Sequence, residues 1–141
     1  MRMSEEEFAA YQSRRKALAE TAIKHGLPGP KPSPAPSRRA APNKTEAEYG
    51  RMLALEYPGA SIVFEGLTFK LANGHKYTPD WVVNVGDGQV ICVEVKARGK
   101  NGYRLPSYQR ARIMFDQCRV EWPNYCWRWA EKSGGTWKAE K

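Results

Sequence analysis

Cysteine and histidine are scarce in this 141-residue chain, and neither residue type is spaced to form a metal site. The cysteines (Cys92, Cys118 and Cys126) are odd in number, and no two of them have C-x-x-C spacing. The two histidines, His25 and His75, lie far apart. This composition argues against both a disulfide framework and a thiolate zinc site. We therefore expect a protein that works in its reduced form.

Long apolar runs are also missing. No stretch of the sequence approaches the ~18 consecutive apolar residues that a membrane-spanning helix needs. The N-terminal residues are charged and lack the apolar core of a signal peptide, so we expect none, and we expect a cytoplasmic location. The length is sufficient for one domain of ordinary size that needs no disulfide or structural metal.

Acidic residues are outnumbered by basic ones. The formal net charge is +8 and the pI is about 9.5, and the excess is divided equally between residues 1–41 and residues 42–141. A surface of this sign favours polyanions, with nucleic acid first and an acidic membrane second. The alternative is that the charge only maintains solubility.

The first 42 residues divide into a helix and a linker. Residues 1–26 are predicted to form an N-terminal helix, because Ser4 and Glu7 match a capping box and Gly26 with Pro28 would end it. Residues 27–42 contain six prolines and several basic residues, which is typical of a semi-extended linker. This linker is either an inert spacer or an arm that contacts phosphates or holds a dimer together.

Residues 43–141 are predicted to form one domain of mixed α and β structure. A helix capped by Asn43 or Thr45 should run to about Tyr57. The later elements follow from alternation, turn residues and prolines. They are a strand over 61–71 with a candidate bulge at Gly66, strands over 77–85 and 89–97, a helix over 106–122, and strands over 125–132 and 136–138.

Two short acidic segments, Thr78-Pro79-Asp80 and Glu94-Val95-Lys96, lie on strands predicted to form one hairpin. A turn at residues 86–88 would bring Asp80 opposite Glu94 or Val95. The two-residue period of a strand places Glu94 and Lys96 on one face and leaves Val95 on the other, with the core. We therefore expect Asp80, Glu94 and Lys96 to meet at one end of the sheet.

Three charged groups at one place suggest phosphodiester hydrolysis. Two close carboxylates repel each other, and a hard divalent cation would remove that repulsion. Mg²⁺ prefers oxygen ligands and commonly takes one or two carboxylates together with phosphate oxygens. A lysine two residues along can orient the attacking water or neutralise charge on the phosphate in the transition state.

One acid on the preceding helix is predicted to lie at the edge of the core. Glu46, Tyr49, Leu53 and Tyr57 share a helical face, so Glu46 lies at the N-terminal edge of the buried stripe. Taken alone, Glu46 is best interpreted as a first-turn acid that stabilises the helix dipole.

The pattern Pro79-Asp80, Glu94-Val95-Lys96, with Glu46 on a preceding helix, resembles the PD-(D/E)xK nuclease superfamily. The resemblance implies a restriction-endonuclease-like α/β core of order α-β-β-β-α-β, with a mixed central sheet flanked by helices. It implies that Asp80 and Glu94 bind Mg²⁺ or Mn²⁺ and that Lys96 assists the attacking water. Glu46 would complete the metal site, with Glu48 as the competing helix acid.

Residues 43–49 further resemble a phage-associated branch that includes proteins likened to junction-resolving endonucleases. This resemblance implies a structure-selective endonuclease acting on branched DNA, such as Holliday junctions, in the cytoplasm of a bacterial host. A homodimer would suit paired incision. Against the nuclease stand two other functions: a non-catalytic DNA-binding module with a vestigial site, and a partner-binding adaptor that uses the proline-rich segment.

Basic residues next to the proposed site are the expected DNA contacts. A polar loop follows Lys96, and we expect it to clamp phosphates. The proposed DNA-binding residues are Arg98, Lys100, Tyr103 and Arg104 in this loop, and Arg110 and Arg112 on the next helix. Trp81 is expected in the core. Trp127 and Trp129 are expected on one strand face with Trp137 opposing them, as an aromatic core or dimer patch rather than a stacking platform for single strands.

Overall fold

The computed structural model describes residues 4–25, 32–34, 41–99 and 106–141. The described residues form three helices and eight strands. The helices are α1 (Glu5–His25), α2 (Lys44–Glu56) and α3 (Pro106–Glu121). The strands are β1 (Ser33–Pro34), β2 (Ser61–Phe64), β3 (Leu67–Lys70), β4 (Lys76–Tyr77), β5 (Trp81–Gly86), β6 (Gln89–Ala97), β7 (Cys126–Ser133) and β8 (Thr136–Glu140). The expected mixture of α and β structure is confirmed.

The strands form two sheets. The larger sheet has five strands in the order β2-β5-β6-β7-β8, and the smaller has three in the order β1-β3-β4. Neighbouring strands are antiparallel except for β6 and β7, which are parallel. A parallel pair needs a crossover connection, and α3 lies in the chain between these two strands.

The side chains of the central strand β6 point alternately to its two faces, and each face packs into a different core. Ile91, Val93 and Val95 pack with Tyr49 and Leu53 of α2 on one face. On the other face lies a more aromatic core, to which α3 contributes. The buried members of that second core are Phe69, Leu71, Tyr77, Cys92, Tyr108, Phe115, Cys118, Trp122, Trp127 and Trp129. Glu94 and Lys96 are two and four residues after Cys92, so their side chains lie on the same face of β6 as Cys92, which is the face towards α3.

Two predicted strands are each broken in the structure. The expected strand over 61–71 was wrong, because it divides into β2 and β3, which belong to different sheets. The break lies at Glu65, whose φ of 49° is positive, and at Gly66. The expected strand over 77–85 was also wrong, since it divides into β4 and β5. Pro79 lies in that break and has no N–H to donate to a ladder.

Trp137 lies on the opposite side of the sheet from the position expected. Gly134 and Gly135 form a two-residue turn, and this turn pairs Trp137 with Lys132. Trp137 therefore packs on Tyr49 of α2, with ring centroids 4.8 Å apart, rather than on the tryptophans of the α3 side. The predicted β7–β8 register was wrong, because strands over 125–132 and 136–138 imply a turn one residue longer than the one in the structure.

The N-terminal helix begins as predicted. The Ser4 N–H donates to Glu7 Oε2 at 2.9 Å and the Glu7 N–H donates to Ser4 Oγ at 3.2 Å, so the capping box is confirmed. The described part of α1 contacts α3. Within the linker, Ser33 and Pro34 form β1 and pair antiparallel with β3. Among the helices that the structure describes, none is long and apolar enough to cross a membrane.

Helix α2 is positioned on the sheet by Trp81, whose indole N–H donates to the Glu46 carbonyl at 2.9 Å. Gly50 lies against the same ring. A Cβ built on Gly50 would lie 2.5 Å from Trp81 Cζ2, which is closer than any normal contact. The close approach of this helix to β5 therefore requires glycine.

We predict that Gly50→Ala destabilises the protein, although alanine is favoured over glycine by about 1 kcal/mol in a helix interior. Because the core next to Trp81 must shift, the net cost should be about 1–3 kcal/mol. Urea denaturation measures it. In a Trp81→Leu background the same change should cost much less, since leucine leaves room for the methyl group. An equal cost in both backgrounds would contradict this explanation.

Candidate active site

Asp80 and Glu94 meet where β5 begins. The β5–β6 register pairs Trp81 with Val93. Asp80, which precedes Trp81, therefore lies beside Glu94, which follows Val93. Asp80 Oδ2 accepts the Val95 N–H at 2.8 Å. Both carboxylate side chains are buried, with 5% of each residue exposed. The expected approach of Asp80 to the Glu94–Val95 position is thus present in the structure.

Both oxygens of Glu94 receive a donor. The Tyr77 hydroxyl donates to Oε2 at 2.5 Å, and Lys96 Nζ lies 2.9 Å from Oε1. Tyr77 is buried, whereas about a quarter of the Lys96 side chain is exposed. Glu94 is therefore held between a buried phenol and an ammonium group that reaches the surface.

Tyr77 was not among the residues proposed from the sequence. It comes from β4 of the small sheet, and only the break at Thr78–Asp80 turns it towards β6. Sequence alternation alone placed it on a continuous strand with Asp80, so no local signal linked it to Glu94. Burial and the neighbouring charge of Glu94 raise the pKa of Tyr77 well above 10, which keeps the hydroxyl a donor.

Glu46 lies near the two buried acids, but its carboxylate has a structural partner. Asn43, one of the two predicted caps, is the residue that caps α2, and its side chain accepts the Glu46 N–H at 2.9 Å. Glu46 Oε2 in turn accepts the Asn43 N–H at 2.8 Å and completes a capping box. The charge of Glu46 still contributes to raising the pKa of Asp80 and of Glu94. Its first-turn structural role and its proximity to the site are therefore compatible.

Glu48, the competing helix acid, contacts a different part of the sheet. Its carboxylate lies 2.6 Å from Lys132 Nζ and accepts the Trp137 indole N–H at 3.2 Å. These two contacts, with the lysine contributing most, lower the pKa of Glu48. The geometry therefore favours Glu46 over Glu48 as the helix acid of the site.

Burial and mutual repulsion make the acids costly to ionise. The pKa of Asp80 is raised from its ordinary 3.8 to about 8, mainly by burial and then by the charge of Glu94, against the opposing Val95 N–H. Burial also raises the pKa of Glu94, with Lys96 and Tyr77 opposing it. Burial alone would lower the pKa of Lys96, but the charges of Glu94 and Asp80 outweigh it and raise the pKa.

The donor chemistry of this cluster fits a hard divalent cation. Two adjacent buried carboxylates gain most from a compensating positive charge, and oxygen ligands are those that Mg²⁺ and Mn²⁺ accept. Among the residues described by the structure, no group of three or more His, Cys, Asp or Glu side chains is arranged as a ready set of metal ligands. Asp80 and Glu94 would therefore be the protein ligands, with Glu46 behind them.

The basic residues proposed as DNA contacts have different surroundings. Arg98 Nε lies 2.7 Å from Glu131 Oε1. Arg112 lies 3.1 Å from Asp116 and 2.7 Å from Glu140, and its guanidinium covers the rings of the core residues Phe115 and Trp129. Arg110 is exposed on α3. The remaining three, Lys100, Tyr103 and Arg104, lie outside the described residues.

Comparisons with known proteins add little to this geometry. No family model matches the chain, and no curated protein matches it. The crystal structure of SSO0001 is a similar solved structure, with 17% sequence identity and a TM-score of 0.33. The match covers 94% of this chain and 59% of that chain, so this protein spans about three fifths of its length. A superposition of this quality defines neither a shared topology nor a shared activity.

We predict that Asp80→Asn stabilises the metal-free protein and that the gain increases with pH. An unfolded chain ionises Asp80 above its ordinary pKa of 3.8, whereas the folded protein keeps the proton up to about pH 8. The folded state of the wild type therefore binds more protons in this window, and its stability falls as the pH rises. Asparagine removes the charge and can still accept the Val95 N–H.

The gain should grow by at least about 1 kcal/mol between pH 5 and pH 8. Thermal unfolding in the presence of a chelator measures it at both pH values. The matched control is Asp87→Asn, because Asp87 is exposed on the turn between β5 and β6. A loss of stability in Asp80→Asn at pH 8 would show that the buried carboxylate is not a source of electrostatic cost.

Proposed function

We propose that the protein is a metal-dependent DNA endonuclease that hydrolyses phosphodiester bonds. One observation carries the proposal: the buried Asp80–Glu94 pair, with the Lys96 ammonium 2.9 Å from Glu94 and partly open to solvent. Buried carboxylates that repel each other and are not neutralised by a bound ion reduce stability, so their presence indicates a function. The net charge of +8 supports a polyanionic substrate.

The strand order supports a restriction-endonuclease-like core of the PD-(D/E)xK type. Helix α2 precedes the antiparallel strands β2, β5 and β6, and α3 leads to β7, which is parallel to β6. The pair β3 and β4 is then an insertion between the first two core strands. Asp80 precedes the second core strand and Glu94 and Lys96 lie on the third, which is the arrangement that the sequence resemblance implies.

Each residue of the cluster has a separate task in this proposal. Asp80 and Glu94 would hold Mg²⁺ or Mn²⁺, which when bound polarises a phosphate oxygen and lowers the pKa of a coordinated water. Lys96 is the partly exposed cation of the cluster and would contact the phosphate or orient the attacking water. Tyr77 fixes the orientation of Glu94 through its hydroxyl, and Glu46 adds negative charge behind the pair.

We expect Asp80→Ala, Glu94→Ala and Lys96→Ala each to reduce cleavage of DNA by about 10²-fold or more in Mg²⁺. DNA affinity should be largely retained, because the loss falls on the chemical step. Cleavage of a labelled substrate and fluorescence anisotropy measure the two properties separately. Loss of affinity with unchanged turnover would contradict the assignment.

The two helix acids provide a matched pair of variants. Glu46→Gln keeps an acceptor for the Asn43 N–H but removes the charge, so we expect slower cleavage and weaker stabilisation by Mg²⁺. Glu48→Gln should leave both unchanged, because Glu48 contacts Lys132 and Trp137 instead. The opposite result would identify Glu48 as the functional acid.

The substrate is proposed to be branched or otherwise structured DNA, such as a Holliday junction in phage DNA metabolism, cut by two copies of the chain. A panel of a four-way junction, a flap, a duplex and a single strand tests this selectivity. We expect branched substrates to be cut at least about tenfold faster than duplex. Equal rates on all four would remove the structure-selective part of the proposal.

The second candidate is a non-catalytic DNA-binding module, which the basic charge supports equally well. It predicts DNA binding that is unaffected by Asp80→Ala, together with no cleavage in Mg²⁺ or Mn²⁺. It also predicts that neither ion raises the melting temperature of the wild-type protein. Ion-dependent stabilisation that disappears in Asp80→Asn would favour the nuclease, since an ion that binds only the folded state stabilises it.

A further inference from the structure

A half-open cleft of about 380 Å³ lies between α3 and the last two strands of the large sheet. Its wall on the helix side includes Tyr108, Gln109 and Arg112, and the strand side includes Trp129 and Glu131 of β7. Ligand cavities in proteins begin at about 300 Å³. At about 380 Å³ the cleft lies near the lower end of that range and has room for a ring system such as a nucleobase.

Trp129 contributes a buried donor to the wall of this cleft. The residue is buried, with 2% exposed, and its indole N–H has no acceptor among the residues that the structure describes. Buried polar groups without a partner are uncommon and call for an explanation. The Trp129 ring lies under the Arg112 guanidinium, 5.0 Å away, and meets the edge of Tyr108 at 5.2 Å. A flat ligand in the cleft would lie beside this aromatic group and would change the environment of the indole N–H.

The charges of the cleft are balanced against each other. Arg98 is bound to Glu131 at 2.7 Å, and Arg112 is bound to Glu140 at 2.7 Å. Lys138, the other cation of the lining, is the cross-strand partner of Glu131. A phosphate group would meet both carboxylates, whereas an uncharged ring can use the flat guanidinium groups and the amide of Gln109. The chemistry favours a neutral, flat ligand with donors and acceptors at its edge.

The cleft opens beside the candidate active site, on the same side of the sheet. The parallel β6–β7 register pairs Glu94 with Trp129 and Lys96 with Glu131. Partners in register on neighbouring strands point to the same face and lie about 5 Å apart. A nucleotide whose phosphodiester contacts Lys96 therefore has its base within reach of the cleft.

We infer that this cleft binds one unpaired nucleobase of the strand that is cut. The inference rests on the proposed nuclease function and specifies its substrate. A base in a duplex is stacked and paired, so it cannot enter a cleft that also contacts its backbone unless it is extruded. The substrate class is therefore DNA with an unpaired nucleotide at the point of incision, as in a flap, a gap or an opened branch point.

Nuclear magnetic resonance on the metal-free protein tests base binding without any need for activity. The Trp129 indole N–H signal is identified by its absence in Trp129→Phe or by its contacts with the Tyr108 ring. Each deoxynucleoside is added to about 10 mM, because a single nucleoside with few contacts binds at about the millimolar level. Inorganic phosphate and deoxyribose 5-phosphate are the comparison probes.

We expect at least one deoxynucleoside to shift the Trp129 signal in a saturable way, and neither phosphate probe to do so. A shift caused by the phosphate probes alone would overturn the inference and identify an anion site. The absence of any shift with all four nucleosides would overturn it as well. Neither result bears on catalysis, so failure of the cleft and failure of the nuclease proposal are separable.

A second experiment blocks the cleft in the active protein. Gln109 is exposed on the cleft wall, so Gln109→Trp should fill the space, and Val120→Trp on the exposed, distant part of α3 is the matched control. We expect Gln109→Trp to abolish the nucleoside-induced shift and to slow cleavage of flap DNA about tenfold or more. Unchanged flap cleavage in Gln109→Trp, with an active wild type, would overturn the role of the cleft.

Discussion

The repulsion between two buried carboxylates is the constraint on which the rest of this structure depends. Asp80 and Glu94 lie side by side where water is largely excluded, and ionising both would cost far more there than at the surface. A fold selected only for stability would place apolar side chains at these positions. Instead, the surrounding elements supply donors to each carboxylate, and a divalent cation would complete the compensation.

Those donors come from separate parts of the chain. The Val95 N–H belongs to the central strand, Lys96 follows on the same strand, and the Tyr77 hydroxyl arrives from the small sheet. Glu46 approaches from α2, which is held against the sheet by Trp81 and Gly50. The site is thus an assembly of tertiary contacts, and loosening any one element would change the distances within it.

The two faces of β6 have different compositions. One face packs into an apolar core, and the other carries the charged residues of the candidate active site. The face towards α2 is packed with aliphatic side chains. The face towards α3 carries Glu94 and Lys96 and continues, one strand further, into the cleft under Arg112. Because site and cleft share one side of one sheet, the DNA strand that we propose as substrate would contact both without a domain movement.

Local sequence signals determined much of this protein. The capping boxes at Ser4 and Asn43, the limits of α3 and the alternation of β6 all follow from neighbouring residues, whose physical effects act within one turn or one strand. The same alternation predicted that Glu94 and Lys96 share a face. The approach of Asp80 followed from one hairpin, which is also a short-range feature.

The tertiary structure alone decided the rest. The breaks at Glu65 and Thr78–Asp80, the side taken by Trp137 and the bond from Tyr77 to Glu94 depend on which strands pair, and pairing is a long-range choice. The different contacts of Glu46 and Glu48 also depend on tertiary structure. Both residues lie on one turn of α2, and only the packing of that helix on the sheet determines which residues each one meets. Short-range periodicity carries no information about those contacts.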